Sequence, residues 1–238
     1  MTTSTPTVVL VHGAFADSAG WIGVIAELHS HGIPVIAPPN PLRGLAADAT
    51  YIASVASQID GPVILVGHSY GGALITVAGT TENVVGLVYV AAVLEEGESL
   101  GELQGRFPTA PLVSSLKQWT YPVEGGAPAV EVTIDADAFP SVFAADVPAD
   151  LTKVLAWPNG RWPPRPSRRR PPRPRGRPSR PGLLVAGADE AINPEVQRYG
   201  ARRAGATVVE IKGASHAIAV SQPTEVADVI RDAVRATS

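Results

Sequence analysis

The chain has 238 residues, 45% of them apolar, 17% charged and with a formal net charge of −3, a length and composition that suit one α/β core. It contains no cysteine, which excludes a disulfide framework and a thiolate metal site. Met1 to Thr7 has neither a basic region nor an apolar one, and nowhere do about 18 apolar residues run together, so a soluble cytoplasmic protein is expected.

In chain order, short runs rich in β-branched residues at Val8–Val11, Val35–Ala37, Val63–Val66, Val84–Ala92, Leu183–Ala186 and Thr207–Ile211 predict about six buried strands, apolar on both faces. Stretches of helical spacing fall between most of them, at Ala19–His31, Ala47–Ile59, Tyr70–Thr80, Pro194–Ala204 and Thr224–Ala236. Pro194 suits a first helical position and Asn193 an N-cap. Strands alternating with helices predict an α/β fold with a doubly wound, mostly parallel sheet, its core formed by residues 1–93 and 182–238.

One connection departs from that rhythm. Residues 94–181 carry scattered prolines, a Gly-Gly pair at 125 and 126, and only a weak helical pattern near Glu98 to Arg106. An excursion of that length between two sheet strands is expected to form a cap over the strand ends. Within it, residues 158–181 hold nine Arg, nine Pro and no acid, and the rest of the chain has 10 basic and 22 acidic residues, −12. Nine prolines cannot sustain a helix and nine arginines resist burial, so an extended, exposed stretch is expected.

Gly67-His68-Ser69-Tyr70-Gly71 fits G-x-S-x-G, after a predicted strand and before a predicted helix, the context of a nucleophile elbow. A serine hydroxyl needs a base. Of five histidines, His216 in Gly213-Ala214-Ser215-His216-Ala217 directly follows the last predicted strand and so shares a sheet edge with Ser69. Asp189 follows the strand at Leu183–Ala186 and lies between Ser69 and His216 in chain order, which suits the acid that orients the base. Glu190 beside it, and Glu95 or Glu96 after an earlier strand, are rivals. His12-Gly13-Ala14-Phe15 leaves the first strand where one oxyanion donor is supplied, so the backbone N–H groups of Ala14 and Tyr70 are expected to converge on the substrate oxygen. His12 itself reads as a structural hydrogen-bonding residue.

These motifs, with Trp21, Ile192-Asn193-Pro194 and Ser215-His216-Ala217, resemble the α/β-hydrolase superfamily, and within it small bacterial esterases related to plant methyl esterases and hydroxynitrile lyases. The resemblance implies a core beginning at the superfamily's third strand, a helical cap insertion, and acyl transfer from a small-molecule ester through Ser69, without cofactor or metal. Hydroxynitrile lyases carry lysine where this chain has Ala217 and threonine where it has Gly13, so cyanohydrin cleavage is not expected. Related sequences have an alanine-rich helical stretch in place of the Arg/Pro segment. Ala156 to Pro164 can be written in GC-rich codons that, read one register over, give Met-Ala-Gln-Arg-Pro-Leu-Ala-Ala, which is family-like. Residues 157–181 therefore read as a frame-shifted stretch closed by a second shift; the rival is a genuine basic arm for an acidic partner. Three functions follow: a serine esterase with neither nucleic acid nor membrane as partner, a cofactor-free perhydrolase using the same residues, or a non-catalytic protein acting through the arm.

Overall fold

The computed structural model describes residues 4–92, 100–156 and 180–237. The β-branched runs become strands β1 (Thr7–Val11), β2 (Val35–Ile36), β3 (Val63–His68) and β4 (Val84–Val90). After an insertion come two further strands of the same sheet, Gly182–Ala186 and Thr207–Ile211. The insertion holds strands β5 (Leu116–Tyr121) and β6 (Ala129–Ile134), which makes the two later strands β7 and β8. The six-stranded sheet has the order β2-β1-β3-β4-β7-β8, and every pairing in it is parallel.

The helices are α1 (Ile22–Ser30), α2 (Leu45–Ser57), α3 (Tyr70–Ala78), α4 (Leu100–Gln104), α5 (Phe139–Val142), α6 (Ala149–Ala156), α7 (Pro194–Ala204), α8 (Ile218–Ser221) and α9 (Pro223–Thr237). The two-residue period of the strands sorts the core into two layers. Val8, Leu10, Ile64, Val66, Val88 and Leu184 face α1, α8 and α9. Val9, Val11, Leu65, Tyr89, Leu183 and Val185 face α2, α3 and α7. Leu10, Ile64, Leu65, Leu74 and Ile75 are wholly buried, each contributing about 1.5–3 kcal/mol by leaving water.

The chain runs from β1 outward to β2, then returns to β3 on the other side of β1. Between the carboxyl ends of β1 and β3 the winding therefore reverses, the place where open α/β sheets form a crevice. The register pairs Leu10 with Val66 and Val11 with Gly67. That sets the loop beginning at His12 beside the turn at Ser69.

Two expectations need correction. The runs at Val35–Ala37 and Thr207–Ile211 form strands, but not buried ones: β2 and β8 are the sheet edges, and Ile36, Val208 and Val209 are exposed. An edge strand lacks a neighbour on one side, and β-branched composition alone does not reveal that position. The insertion is not purely helical either, because β5 and β6 pair antiparallel from Leu116↔Ile134 to Tyr121↔Ala129. Gly125 lies in their connection with φ +66°, a conformation glycine adopts at little cost. The Arg/Pro stretch at 157–179 and the rival acids Glu95 and Glu96 lie outside the described residues.

Candidate active site

Ser69 sits between the end of β3 and the first residue of α3 with φ 52° and ψ −122°. A left-handed φ costs a non-glycine residue of the order of 1–3 kcal/mol and persists only where the surroundings enforce it. Here two glycines and a strand pairing do so. A Cβ on Gly67 would lie 2.5 Å from the Gly71 carbonyl oxygen, and one on Gly71 would collide with the Val11 carbonyl. The Ser69 N–H donates to the Val90 carbonyl at 3.0 Å, which fastens the turn to the neighbouring strand. The turn thus presents the hydroxyl at the carboxyl edge of the sheet and aims the N-terminus of α3 at the same point.

The loop after β1 closes on this turn. A Cβ on Gly13 would stand 2.7 Å from the Ser69 Cβ and 2.9 Å from the His68 carbonyl, so only glycine lets the strand exit pass so close. Ala14 follows directly and is buried, and Tyr70 begins α3 with its ring buried. The Tyr70 hydroxyl donates to Asp48 Oδ2 at 2.9 Å, while the Arg43 and Gly44 N–H groups donate to the same wholly buried carboxylate. Behind the loop His12 is neutral in a definite tautomer: Nδ1–H donates to the Gly13 carbonyl at 2.9 Å, and Nε2 accepts the Asn40 N–H at 2.8 Å. Burial lowers the pKa of His12, more than its bond to Gly13 raises it.

His216 and Asp189 come from the loops after β8 and β7 and meet. The His216 Nδ1–H donates to Asp189 Oδ2 at 2.6 Å, with both side chains essentially inaccessible to solvent. Since a carboxylate only accepts, the proton of this bond belongs to Nδ1, which leaves Nε2 as the ring nitrogen free to face the serine turn. The two loops are also joined through backbone, Ala188 N–H to the Ala214 carbonyl at 2.9 Å. Asp189 Oδ1 accepts the N–H groups of Ala191 and Ile192 at 2.8 Å each, and Oδ2 also accepts Gln197 Nε2 at 2.7 Å. Glu190 points away and is exposed, its carbonyl taking the Leu112 N–H at 3.0 Å.

His68 connects the serine turn to the histidine loop. Its Nε2–H donates to the His216 carbonyl at 2.8 Å, and the two rings stand 4.7 Å apart. Trp21 and Phe143 meet the His68 ring edge-on at 6.3 and 6.4 Å. Desolvation first, then neighbouring His216, lower the His68 pKa from 6.5 to about 3, so this imidazole is a neutral donor. Among the described residues no hydrogen bond joins the Ser69 hydroxyl to the His216 ring.

Beside His68 a narrow cleft runs between the loop after β1 and the loop after β8. Phe15, Trp21, Phe139, Phe143, Leu155 and Val220 give it apolar walls, and Asp17 stands on its rim. The ring of Phe143 lies 4.9 Å from that of His216, and its carbonyl accepts the Ala217 N–H at 2.9 Å, so the insertion directly touches the histidine loop. Gln197 escaped the sequence reading. Its signal was a polar residue on the inward stripe of α7, where Gln197, Ala201 and Ala204 recur at helical spacing and are all buried.

The profile of the Alpha/beta hydrolase family matches residues 8–229. The chain belongs to that family. Among solved structures, the hydrolase is similar to polyneuridine aldehyde esterase at 20% identity, with TM-score 0.80 over 96% of this chain and 99% of that one. It is similar to a pyrethroid hydrolase from Sphingobium faniae at 23% identity, with TM-score 0.74 over 98% of each chain. A methylesterase from Arabidopsis gives 16% identity and TM-score 0.78 over 97% of this chain and 99% of that one. At these identities the likeness is one of fold, and the comparison with curated protein sequences gives no match. Among the described residues no helix is long and apolar enough to cross a membrane.

Proposed function

We propose that this α/β hydrolase is a serine esterase that cleaves small, uncharged carboxylic esters through an acyl-enzyme on Ser69. The observations that support the reading are a strained serine turn, a buried His216–Asp189 pair bonded at 2.6 Å, and the His68 bond at 2.8 Å that ties the turn to the loop of His216. The names of the structural neighbours, two esterases and a pyrethroid hydrolase, agree with it.

In the acylation step Ser69 Oγ attacks the ester carbonyl while its proton passes to His216 Nε2, and Asp189 stabilises the imidazolium. The carbonyl electron pair moves to the oxygen, which the N–H groups of Ala14 and Tyr70 receive; one such donor is worth about 2.7–4 kcal/mol of barrier. The C–O bond then breaks, and His216 returns the proton to the departing alkoxide. Water repeats the sequence with His216 as base, releasing the acid and restoring Ser69. The apolar cleft beside His68 holds one side of the ester, with Phe139, Phe143 and Leu155 of the insertion forming part of its wall. The Asp17 carboxylate on the rim disfavours anionic substrates.

A burst of p-nitrophenol from p-nitrophenyl acetate, equal to the enzyme concentration and absent in Ser69→Ala, is the expected result. Ser69→Ala and His216→Ala should each lower kcat by about three or more orders of magnitude, and the double variant should be little worse. Wild-type turnover by Ser69→Ala would refute the reading.

A further inference from the structure

We infer that Gln197 is a positioning residue for the His216–Asp189 pair, holding the carboxylate at the angle that keeps Oδ2 aimed at the imidazole. The inference rests on the esterase reading, in which that pair serves Ser69. Gln197 is wholly buried on the first turns of α7 and makes three polar contacts. Its Oε1 accepts the Ala186 N–H at 3.1 Å, and its Nε2 donates to Asp189 Oδ2 at 2.7 Å and to the Ile192 carbonyl at 3.0 Å.

The chemistry of these partners fixes the amide. Ala186 offers only a donor, and Asp189 and Ile192 offer only acceptors, so a flipped amide would set like against like at all three contacts. The side chain therefore ties the end of β7, the acid and the loop after it into one unit.

The need for such a tie follows from how Asp189 is held. The N–H groups of Ala191 and Ile192 grip Oδ1 alone. A carboxylate anchored through one oxygen keeps a swinging motion about it, which moves the other oxygen across the imidazole N–H. Gln197 Nε2 grips Oδ2, the oxygen that His216 also uses. With both oxygens held, the swing is stopped. Gln197 touches none of the reacting atoms, so its influence must pass through Asp189 and reach the imidazole orientation during proton transfer.

The test is a double-mutant cycle on purified full-length protein with p-nitrophenyl acetate, with Ser69→Ala run alongside. Gln197→Met should lower kcat about 10- to 100-fold, with KM within about twofold because ester binding is not what the amide serves. In an Asp189→Asn background the same substitution should change kcat less than about twofold, because the carboxylate it orients is gone. An equal loss in both backgrounds would mean a general structural role and overturn the inference, as would wild-type kcat in Gln197→Met. If Ser69→Ala stays active, the esterase reading and the inference fail together; if it is inactive while Gln197→Met is normal, only the inference fails. NMR on the unsubstituted protein keeps the question decidable should the variant not fold. A cross-peak between the Gln197 Nε2 protons and the His216 Nδ1 proton is expected, since both protons point at one oxygen, and its absence would overturn the inference.

Discussion

Lowering the pH probes the burial of His68. The ring is 5% exposed, packed by Trp21, Phe143 and His216, with its pKa reduced from 6.5 to about 3, chiefly by desolvation. The folded protein thus keeps His68 neutral to about pH 3, while the unfolded chain protonates it near its ordinary value. Between these limits the unfolded state binds more protons, so stability falls as pH drops, by ~1.4 kcal/mol per pH unit. Above about pH 6.5 nothing is lost; from there to about pH 5 the loss is ~2 kcal/mol, and over the whole shift ~5 kcal/mol. Urea unfolding followed by circular dichroism, at several pH values in that window, should be run on the wild type and on His68→Gln. Glutamine reaches about as far, can still donate to the His216 carbonyl, and does not titrate. The stability difference between the two proteins should move by ~2 kcal/mol in favour of the variant between about pH 6.5 and pH 5. A difference that stays constant with pH would refute the claim that folding holds this imidazole neutral.

Gly13→Ala places a methyl carbon 2.7 Å from the Ser69 Cβ, which pushes the loop bearing Ala14 off the serine turn; esterase kcat should fall by about 100-fold or more, as for loss of an oxyanion donor, and retention of wild-type kcat would contradict that placement. Phe143→Ala removes a buried ring stacked at 4.9 Å on Phe139, so urea unfolding should register a loss of about 3–5 kcal/mol, and kcat/KM should shift toward esters with bulkier groups beside the cleft. Arg43→Ala breaks an ion pair with Glu131 at 3.4 Å whose cation is half exposed but whose carboxylate is buried; taking the cation from a buried carboxylate should cost about 1–3 kcal/mol in urea unfolding, and a loss under about 0.5 kcal/mol would contradict the shielding of Glu131.

Most of the scaffold was legible because its signals are local. The β-branched runs predicted β1, β3, β4 and β7, and α7 begins where Asn193 and Pro194 mark it and ends at Ala204 as its spacing predicts: the Asn193 side chain accepts the Glu195 N–H, and Gly205 beyond it takes φ 61°. The serine turn was legible for the same reason, since a strand, two glycines and a helix occupy consecutive residues. What escaped depends on contacts distant in sequence. The β5–β6 hairpin carries Trp119 and Val130 exposed and prolines at both inner ends, so its alternation is weak, and only pairing reveals it. Gln197 and Asp48 look like ordinary helical polar residues until the fold brings a carboxylate to one and a phenol to the other. The exposure of β8 is a matter of its place in the sheet, which composition does not encode.

The insertion leaves the sheet after β4 and re-enters at β7, and those two strands are neighbours, with Val88 opposite Gly182 and Val90 opposite Leu184. The chain accordingly divides at that point into two halves of unequal equipment. The leading half holds the serine turn and the Gly13–Ala14 loop; the trailing half holds Asp189, Gln197 and His216. Neither half owns a complete set, and the seam between them joins the β4–β7 pairing, closed by the Ala91 N–H to the Leu184 carbonyl at 2.9 Å, to the His68 bond with the His216 carbonyl and the packing of α1 and α9 in one core layer. On the proposed mechanism, a cut within the insertion should therefore leave two fragments inactive alone, with p-nitrophenyl acetate hydrolysis returning only when β4 and β7 pair in register, so that turnover would measure their reassociation.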